Sequence, residues 1–457
     1  VTKTKAYVRV ATMLLACGLT APAVAQRAAG DDDPIINTAA PATDGIGSVL
    51  GGVGGILLRG LSISAQLQTT YDGDIRRLGE GLRDDDDELA DFRISPSVKV
   101  SNVMSVGRQQ LYVEGEYGRD FYVRNTDLNR DRYGIAGGIN AQAGSFCKGN
   151  LAGYFRSRQQ LNSEATIGIS NLVETTNFSA SANCQRPVGI GFGLSASHNK
   201  QDNKDLAREF FDSRSNTIGG NVSYSRPLLG TFSLGGSYSD VKYPSRSQII
   251  GGTFFAPITS DDGVGIYSGN LSYRRSIGPR LTVNIGGSYF VAKSKPRDVF
   301  LQVISPTQGF ILQPQRRENF SGAGYIFGLA YRPGARLTID VSAARDISES
   351  SNVGALFTVR DNFGVDLGYR VGPSITAGIG ATFDVRRYRN PFSSPEEIQP
   401  RVRDDIGRVY GRVTYAPRRL FNVDFELAHQ RRNSNPSIYD YASTSAALTL
   451  RVNFGRG

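Results

Sequence analysis

The sequence predicts an all-β chain, a single closed antiparallel transmembrane β-barrel of about eighteen strands (16–18) with short periplasmic turns and long extracellular loops. Three observations predict it. From Leu61 onward apolar residues alternate with polar ones at period two. The connections alternate between short Pro/Gly turns and long charged loops. Helical stripes are nearly absent, and no apolar run reaches the length of about eighteen residues that a membrane helix needs. Composition agrees: hydrophobic residues make up only 39%, with Gly (53), Tyr (21) and Phe (23) abundant and Met (2), His (2) and Trp (0) scarce. A membrane barrel needs apolar side chains at only every second strand position.

Residues 1–25 read as a secretory signal peptide. Lys3, Lys5 and Arg9 give a positive start, Val10 to Leu19 a short apolar core, and Ala23-Val24-Ala25 a small-residue cleavage site before Gln26. Leu14-Leu15-Ala16-Cys17 loosely matches a lipid-attachment box, which is the competing reading. Residues 26–60 form a flexible periplasmic leader or small plug: Asp31-Asp32-Asp33 and a Pro/Ala/Thr stretch, then a Gly-rich apolar segment from Ile46 to Leu58. This leader is too short for a folded plug domain. Residues 61–457 are the barrel. The formal charge is +10, and removing Lys3, Lys5 and Arg9 leaves +7. Arg is interleaved with Asp and Glu throughout, which argues against nucleic acid as a partner. Two uses remain for the charge: pairing with lipopolysaccharide phosphates at the outer rim, and lining a polar lumen.

Strands are expected near 61–73, 89–101, 109–123, 131–144, 147–158, 171–184, 188–199, 214–226, 230–242, 263–275, 279–293, 319–332, 335–346, 356–370, 373–388, 404–416, 419–431 and 441–455. Leu281, Val283, Ile285, Gly287, Tyr289 and Val291 show the pattern: side chains two apart share one face. Short turns such as Arg332-Pro333-Gly334-Ala335-Arg336 and Val371-Gly372-Pro373 use Pro and Gly to set the dihedrals. Long loops are expected at 74–88, 159–171, 201–213, 244–262, 294–318 and 388–404. An even strand number puts both ends of the barrel on the periplasmic side.

Tyr224, Tyr273, Tyr331, Tyr369 and Tyr415 each sit just before a short turn and share the apolar parity of their strands. They read as an interfacial aromatic girdle. The last strand alternates Ala446, Leu448, Leu450, Val452 and Phe454. An apolar alternation closing on Phe454 looks like the signal that the barrel assembly machinery recognises.

On these hairpins and Phe454, residues 61–457 resemble the proteobacterial "putative β-barrel porin 2" group. The resemblance implies a bacterial outer-membrane barrel whose partners are membrane lipid, lipopolysaccharide and the assembly machinery. Some members of such groups are associated with exopolysaccharide production and export, which adds polysaccharide or its export proteins as partners. No functional residue carries over, because the group offers no motif to match.

Parity assigns Tyr112, Glu114, Glu116, Asp340, Arg360, Asp366, Asp384, Arg386, Arg408, Tyr410, Arg412, Asp424, Glu426 and Arg451 to the lumen. Both signs occur. They either neutralise one another or set up a transverse field that orients polar or anionic solutes. Tyr112 and Tyr410 either stack on sugars or fill space. Cys147 opens one strand and Cys184 ends its neighbour, so a disulfide is expected in an oxidising compartment. His198 and His429 share parity with apolar neighbours and should face lipid, away from any lumen site. The acidic run Asp84 to Glu88 lacks ligand spacing and reads as a solvated loop. No catalytic residue, metal or cofactor is expected. A porin-like channel for polar solutes, plausibly serving exopolysaccharide export, is the leading function. A closed structural or assembly barrel is the alternative, and an outer-membrane hydrolase is the weakest reading.

Overall fold

The computed structural model describes residues 60–77, 79, 89–159, 171–253, 256–305, 309–350, 354–391, 399–418 and 420–455. The expected signal peptide, Cys17, nearly all of the expected leader and the Asp84 to Glu88 run therefore lie outside the described residues. Twenty strands form one sheet: β1 (Leu61–Asp72), β2 (Asp91–Val106), β3 (Gln109–Tyr122), β4 (Arg130–Ala143), β5 (Cys147–Gln159), β6 (Leu172–Cys184), β7 (Gly189–Asn203), β8 (Ser213–Arg226), β9 (Gly230–Thr253) and β10 (Ala256–Ile277), then β11 (Leu281–Lys295), β12 (Asp298–Ser305), β13 (Gly309–Arg316), β14 (Phe320–Tyr331), β15 (Leu337–Glu349), β16 (Phe357–Arg370), β17 (Ile375–Arg389), β18 (Arg403–Arg418), β19 (Phe421–Asn435) and β20 (Tyr441–Gly455). Three short 3₁₀ turns are the only helical elements among the described residues.

Each strand pairs antiparallel with the next, except that β11 pairs with β14. The β12–β13 hairpin is therefore an excursion, and the wall itself has eighteen strands. β1 closes on β20, with Ile63 opposite Phe454 and Asp72 opposite Ser445. Closure removes every edge, which is what a sheet in hydrocarbon requires.

Two expected loops are strands instead. Residues 244–253 and 256–262 continue β9 and β10 above the wall, paired through Thr253 and Ala256, with register shifts near Thr259 and Asp262. Within 294–318 stands the β12–β13 hairpin, Asp298 opposite Arg316. Pro244, Pro257, Pro296, Pro306 and Pro314 interrupt these stretches and disguise the pairing in the sequence.

Alternate residues face outward and form an apolar belt. Ile190, Phe192 and Leu194 on β7 are each more than half exposed, as side chains that meet lipid should be. The five tyrosines expected before short turns all lie on this outer face. Tyr224, Tyr331, Tyr369 and Tyr415 are exposed, and Tyr273 stacks on Phe232 at 4.7 Å while donating its hydroxyl to the Leu229 carbonyl at 2.8 Å. A second aromatic tier, not singled out from the sequence, lies nearer the long connections: Tyr71 with Phe92 at 5.2 Å, Tyr238 with Tyr267 at 4.7 Å, Tyr325 with Phe363 at 6.2 Å. The pairs Phe232/Tyr238, Tyr267/Tyr273, Tyr325/Tyr331 and Phe363/Tyr369 repeat one spacing, about 20 Å along a strand. That spacing was the available signal.

Candidate functional site: the lumen

Inward-facing side chains divide the lumen into two walls. β15 to β20 and β1 to β5 carry almost all of the charge. β6 to β11 present mainly Ser, Thr, Asn, Gln and Gly, and β14 presents Gly with Phe320, Ile326 and Ala330. Among the described residues, the charged groups directed inward on those seven strands are Arg246 and Asp262 near the outer end and Arg274 near the periplasmic turn.

On the charged wall, every lumen residue assigned from the sequence has inward parity, and most are joined to a neighbour. Lys99 reaches Glu114 at 2.7 Å, beside Glu116. Arg360 and Arg386 flank Asp384 at 2.8 and 3.9 Å, and Asn362 donates to the same carboxylate at 2.6 Å. Arg408 meets Glu426 at 2.5 Å. Asp366, opposite Asp340 on β15, accepts from Arg412 at 2.9 Å and from the Tyr410 hydroxyl at 2.6 Å. Asp424 accepts from Thr414 at 2.7 Å, and Arg451 donates to Gln66 at 3.0 Å. Charges of opposite sign on adjacent strands bring their partners within reach at little ordering cost. The pattern is lateral neutralisation along one wall. A transverse field would need the opposite wall to carry the other sign, and that wall is neutral.

The two lumen tyrosines lie along the wall. Tyr410 covers Gly380, where any Cβ would collide with its ring, and the Arg408 guanidinium stands 4.9 Å from the ring centre. Tyr112 likewise covers Gly138. Both rings fill space left by glycine; Tyr112 is buried there and Tyr410 is half-buried.

The neutral wall is built from short hydroxyl and amide side chains. Thr217 donates to Ser239 at 2.9 Å, and Ser237 and Ser268 share a hydrogen bond at 2.7 Å. Toward the outer end this wall becomes apolar, and the β15–β16 connection folds inward onto it. Leu356 and Phe357 pack with Val241, Tyr243, Val264, Ile266 and Ala292. A fully buried Arg246 fastens the contact. Its guanidinium lies 3.9 Å from the Tyr243 ring centre and donates to the carbonyls of Phe210, Ala355 and Ser350 at 2.7, 3.0 and 3.2 Å. Tyr243 adds a donation to the Leu356 carbonyl at 2.8 Å. Across the mouth, buried Arg401 stands between Tyr439 and Tyr388, 5.0 and 6.0 Å from their ring centres, and pairs with Asp404 at 3.2 Å. In the β7–β8 connection, burial pushes the Asp212 carboxyl above its ordinary range, against donation from Asn203. None of this mouth was read from the sequence.

Cys147 and Cys184 are directly opposed and disulfide-bonded, with Cα atoms 4.0 Å apart. The bond joins β5 to β6, where the charged wall meets the neutral one. His198 and His429 face outward, next to Asn216 at 2.8 Å and Thr444 at 2.9 Å, away from every lumen group. Among the described residues no cluster of His, Cys, Asp and Glu could hold a metal ion. A groove of about 680 Å³ between Leu67, Val98, Tyr117, Phe121 and Leu450 opens on the outer face, where lipid chains would fill it.

Residues 313–454, from the β12–β13 hairpin to the closing strand, match the family model described as "Putative beta-barrel porin 2", the group the sequence resembles. This is a porin-like barrel of the bacterial outer membrane. Comparison with curated proteins finds no match. Among solved structures, the porin-like barrel is similar to OccK2 (OpdF) of Pseudomonas aeruginosa, at 11% identity over 88% of this chain and 100% of that one, TM-score 0.47. It is also similar to the outer membrane protein opdK of Pseudomonas aeruginosa, at 10% identity, 87% and 100% coverage and TM-score 0.46. The siderophore receptor PirA of Acinetobacter baumannii matches at 8% identity, with 86% and 80% coverage and TM-score 0.44. At these identities and scores the likenesses carry no argument about the solute.

Proposed function

We propose that the barrel passes polar, uncharged solutes, saccharides foremost, along the β6–β14 side of the lumen. One observation carries this reading: a wall of six strands, β6 to β11, that offers hydroxyls and amides and almost no charge and is continued by the apolar and Gly positions of β14, facing a wall many of whose charges pair with one another. Such a surface exchanges hydrogen bonds with a polyhydroxyl solute and does not hold an ion, as passage requires. Export of a polysaccharide chain is the finer form of the same reading. The test is single-channel recording in planar bilayers, together with swelling of liposomes in neutral and in carboxylated sugars of equal size. Swelling is expected to be faster with the neutral sugar. Equal or inverted rates would reject the assignment.

A second reading, a closed barrel that acts through its loops, is favoured by the Arg246 lock and the inward β15–β16 connection. It predicts no conductance above the bare bilayer, so the same recording separates the two.

A further inference from the structure

The outer surface of the neutral arc carries a charge pattern that neither fold nor lumen requires. The register sets Lys200 on β7 opposite Arg214 on β8, and Arg214 opposite Lys242 on β9. Lys242 faces Gly263 on β10, and Gly263 faces Lys295 on β11. All share the outward parity of Ile218, Tyr238 and Tyr267. Three cations thus stand side by side on consecutive strands spaced about 4.8 Å apart. Lys295 continues the row beyond the glycine, and Lys293 lies one step below it on the same face. Like charges directly opposite destabilise a sheet, so this row calls for an anion.

The protein supplies only part of that anion. Lys200 lies 2.5 Å from Asp202, and Lys295 lies 2.8 Å from Asp240 while donating to the Tyr238 hydroxyl at 2.9 Å. A third carboxylate, Asp261, stands two residues above Gly263 across a register shift. Arg214 and Lys242 make no ion pair among the described residues. Among the described residues, Lys293 reaches only the Tyr267 ring, 5.4 Å from its centre. Just below, Tyr238 and Tyr267 stack at 4.7 Å and mark the upper edge of the hydrocarbon belt. Cations immediately above an interfacial aromatic tier, on the outer-leaflet side, meet lipid headgroups.

We propose that Arg214, Lys242 and Lys293 form a binding site for the phosphates of an outer-leaflet glycolipid, with its acyl chains lying against Ile218 and Val222. The proposal goes beyond the solute reading and concerns the opposite face of the same strands. A phosphate bridges neighbouring cations, and the Arg214 fork can engage two of its oxygens.

The test uses the full barrel in detergent, with hexa-acylated bis-phosphorylated lipid A, its dephosphorylated form and inorganic phosphate as probes, bound species being counted by native mass spectrometry. The wild-type barrel should prefer the phosphorylated lipid by at least about tenfold. The triple variant Arg214→Ser, Lys242→Ser, Lys293→Ser should lose most of that preference, and the double variant Lys242→Arg, Lys293→Arg should keep it. Millimolar inorganic phosphate should not compete. Equal binding of both lipids by the wild-type barrel overturns the proposal without any variant. An unchanged preference in the triple variant overturns it too, as does competition by free phosphate. Heat-modifiable migration on gels confirms that each variant is folded, and channel activity is a separate readout, so failure here leaves the solute reading to its own test.

Discussion

The charged wall and the neutral wall of the lumen share one backbone pattern and differ in what fills it. Along β15 to β20 and β1 to β5, long Arg, Glu and Tyr side chains span from strand to strand and fasten one another, as Arg360, Asp384 and Arg386 do. Along β6 to β11 and β14, Ser, Thr and Gly keep the inner surface shallow, and pairs such as Ser237 and Ser268 bond only to each other. The difference teaches that a barrel can hold many lumen charges without a net field, provided each stands beside its counter-charge. On the reading proposed above, the room for a solute lies against the wall that carries almost none. Outside, the pairing is reversed: part of the arc that is neutral within carries the unneutralised cations without.

The largest expected effect comes from the lock above the neutral wall. Arg246→Ala would strand three carbonyls at about 1–3 kcal/mol each. The β15–β16 connection should then leave the wall, raising single-channel conductance and exposing residues near Ser350 to protease. Unchanged conductance and proteolysis would show that the lock does not narrow the mouth. Next comes the seam between the walls. Cys147→Ser opens the β5–β6 staple across a separation of 37 residues, worth about 4 kcal/mol in the chain-entropy model. Urea melting of the folded barrel should show that loss, and reductant should reproduce it in the native protein. On the charged wall, Tyr410→Phe removes the donor to Asp366 and should cost about 1 kcal/mol in the same assay. A neutral outcome would mean that Arg412 suffices.

The smallest effects sharpen the comparison most. Ser197→Asp places a lone charge on the neutral wall and should raise cation over anion permeability two- to fivefold, about 0.5–1 kcal/mol. Asp384→Asn frees Arg360 and Arg386 and should shift the ratio toward anions by a similar factor. Reversal potentials in a salt gradient read both. Shifts of the same sign, or none, would mean that the two walls do not differ as described.

The sequence makes the wall legible because a membrane barrel imposes one rule across the hydrocarbon belt: outward strand residues are predominantly apolar. Parity therefore places Glu114, Asp384 and Arg451 inward and His198 outward without any knowledge of contacts. It also puts Cys147 and Cys184 at the same end of neighbouring antiparallel strands, while their direct opposition comes from the structure, because the long connection between β5 and β6 does not fix the register. The mouth is not legible, because Arg246, Ser350 and Leu356 are far apart in the chain and obey no period. The division into two walls was within reach. Its signal is the absence of charge at the inward-parity positions of β6 to β8. The added β12–β13 hairpin was hidden by prolines in a stretch that reads as loop.

The seam where Ile63 lies opposite Phe454 has a kinetic consequence. Its two strands are nearly the whole barrel apart in sequence, so β1 has no partner on that side until β20 exists. Contacts of such high order form slowly, after a large loss of chain entropy. Until then the nascent sheet presents two bare edges, and an unshielded edge is a template for aggregation. Whatever escorts this chain to the membrane has to cover the β1 edge for as long as the final strand takes to arrive.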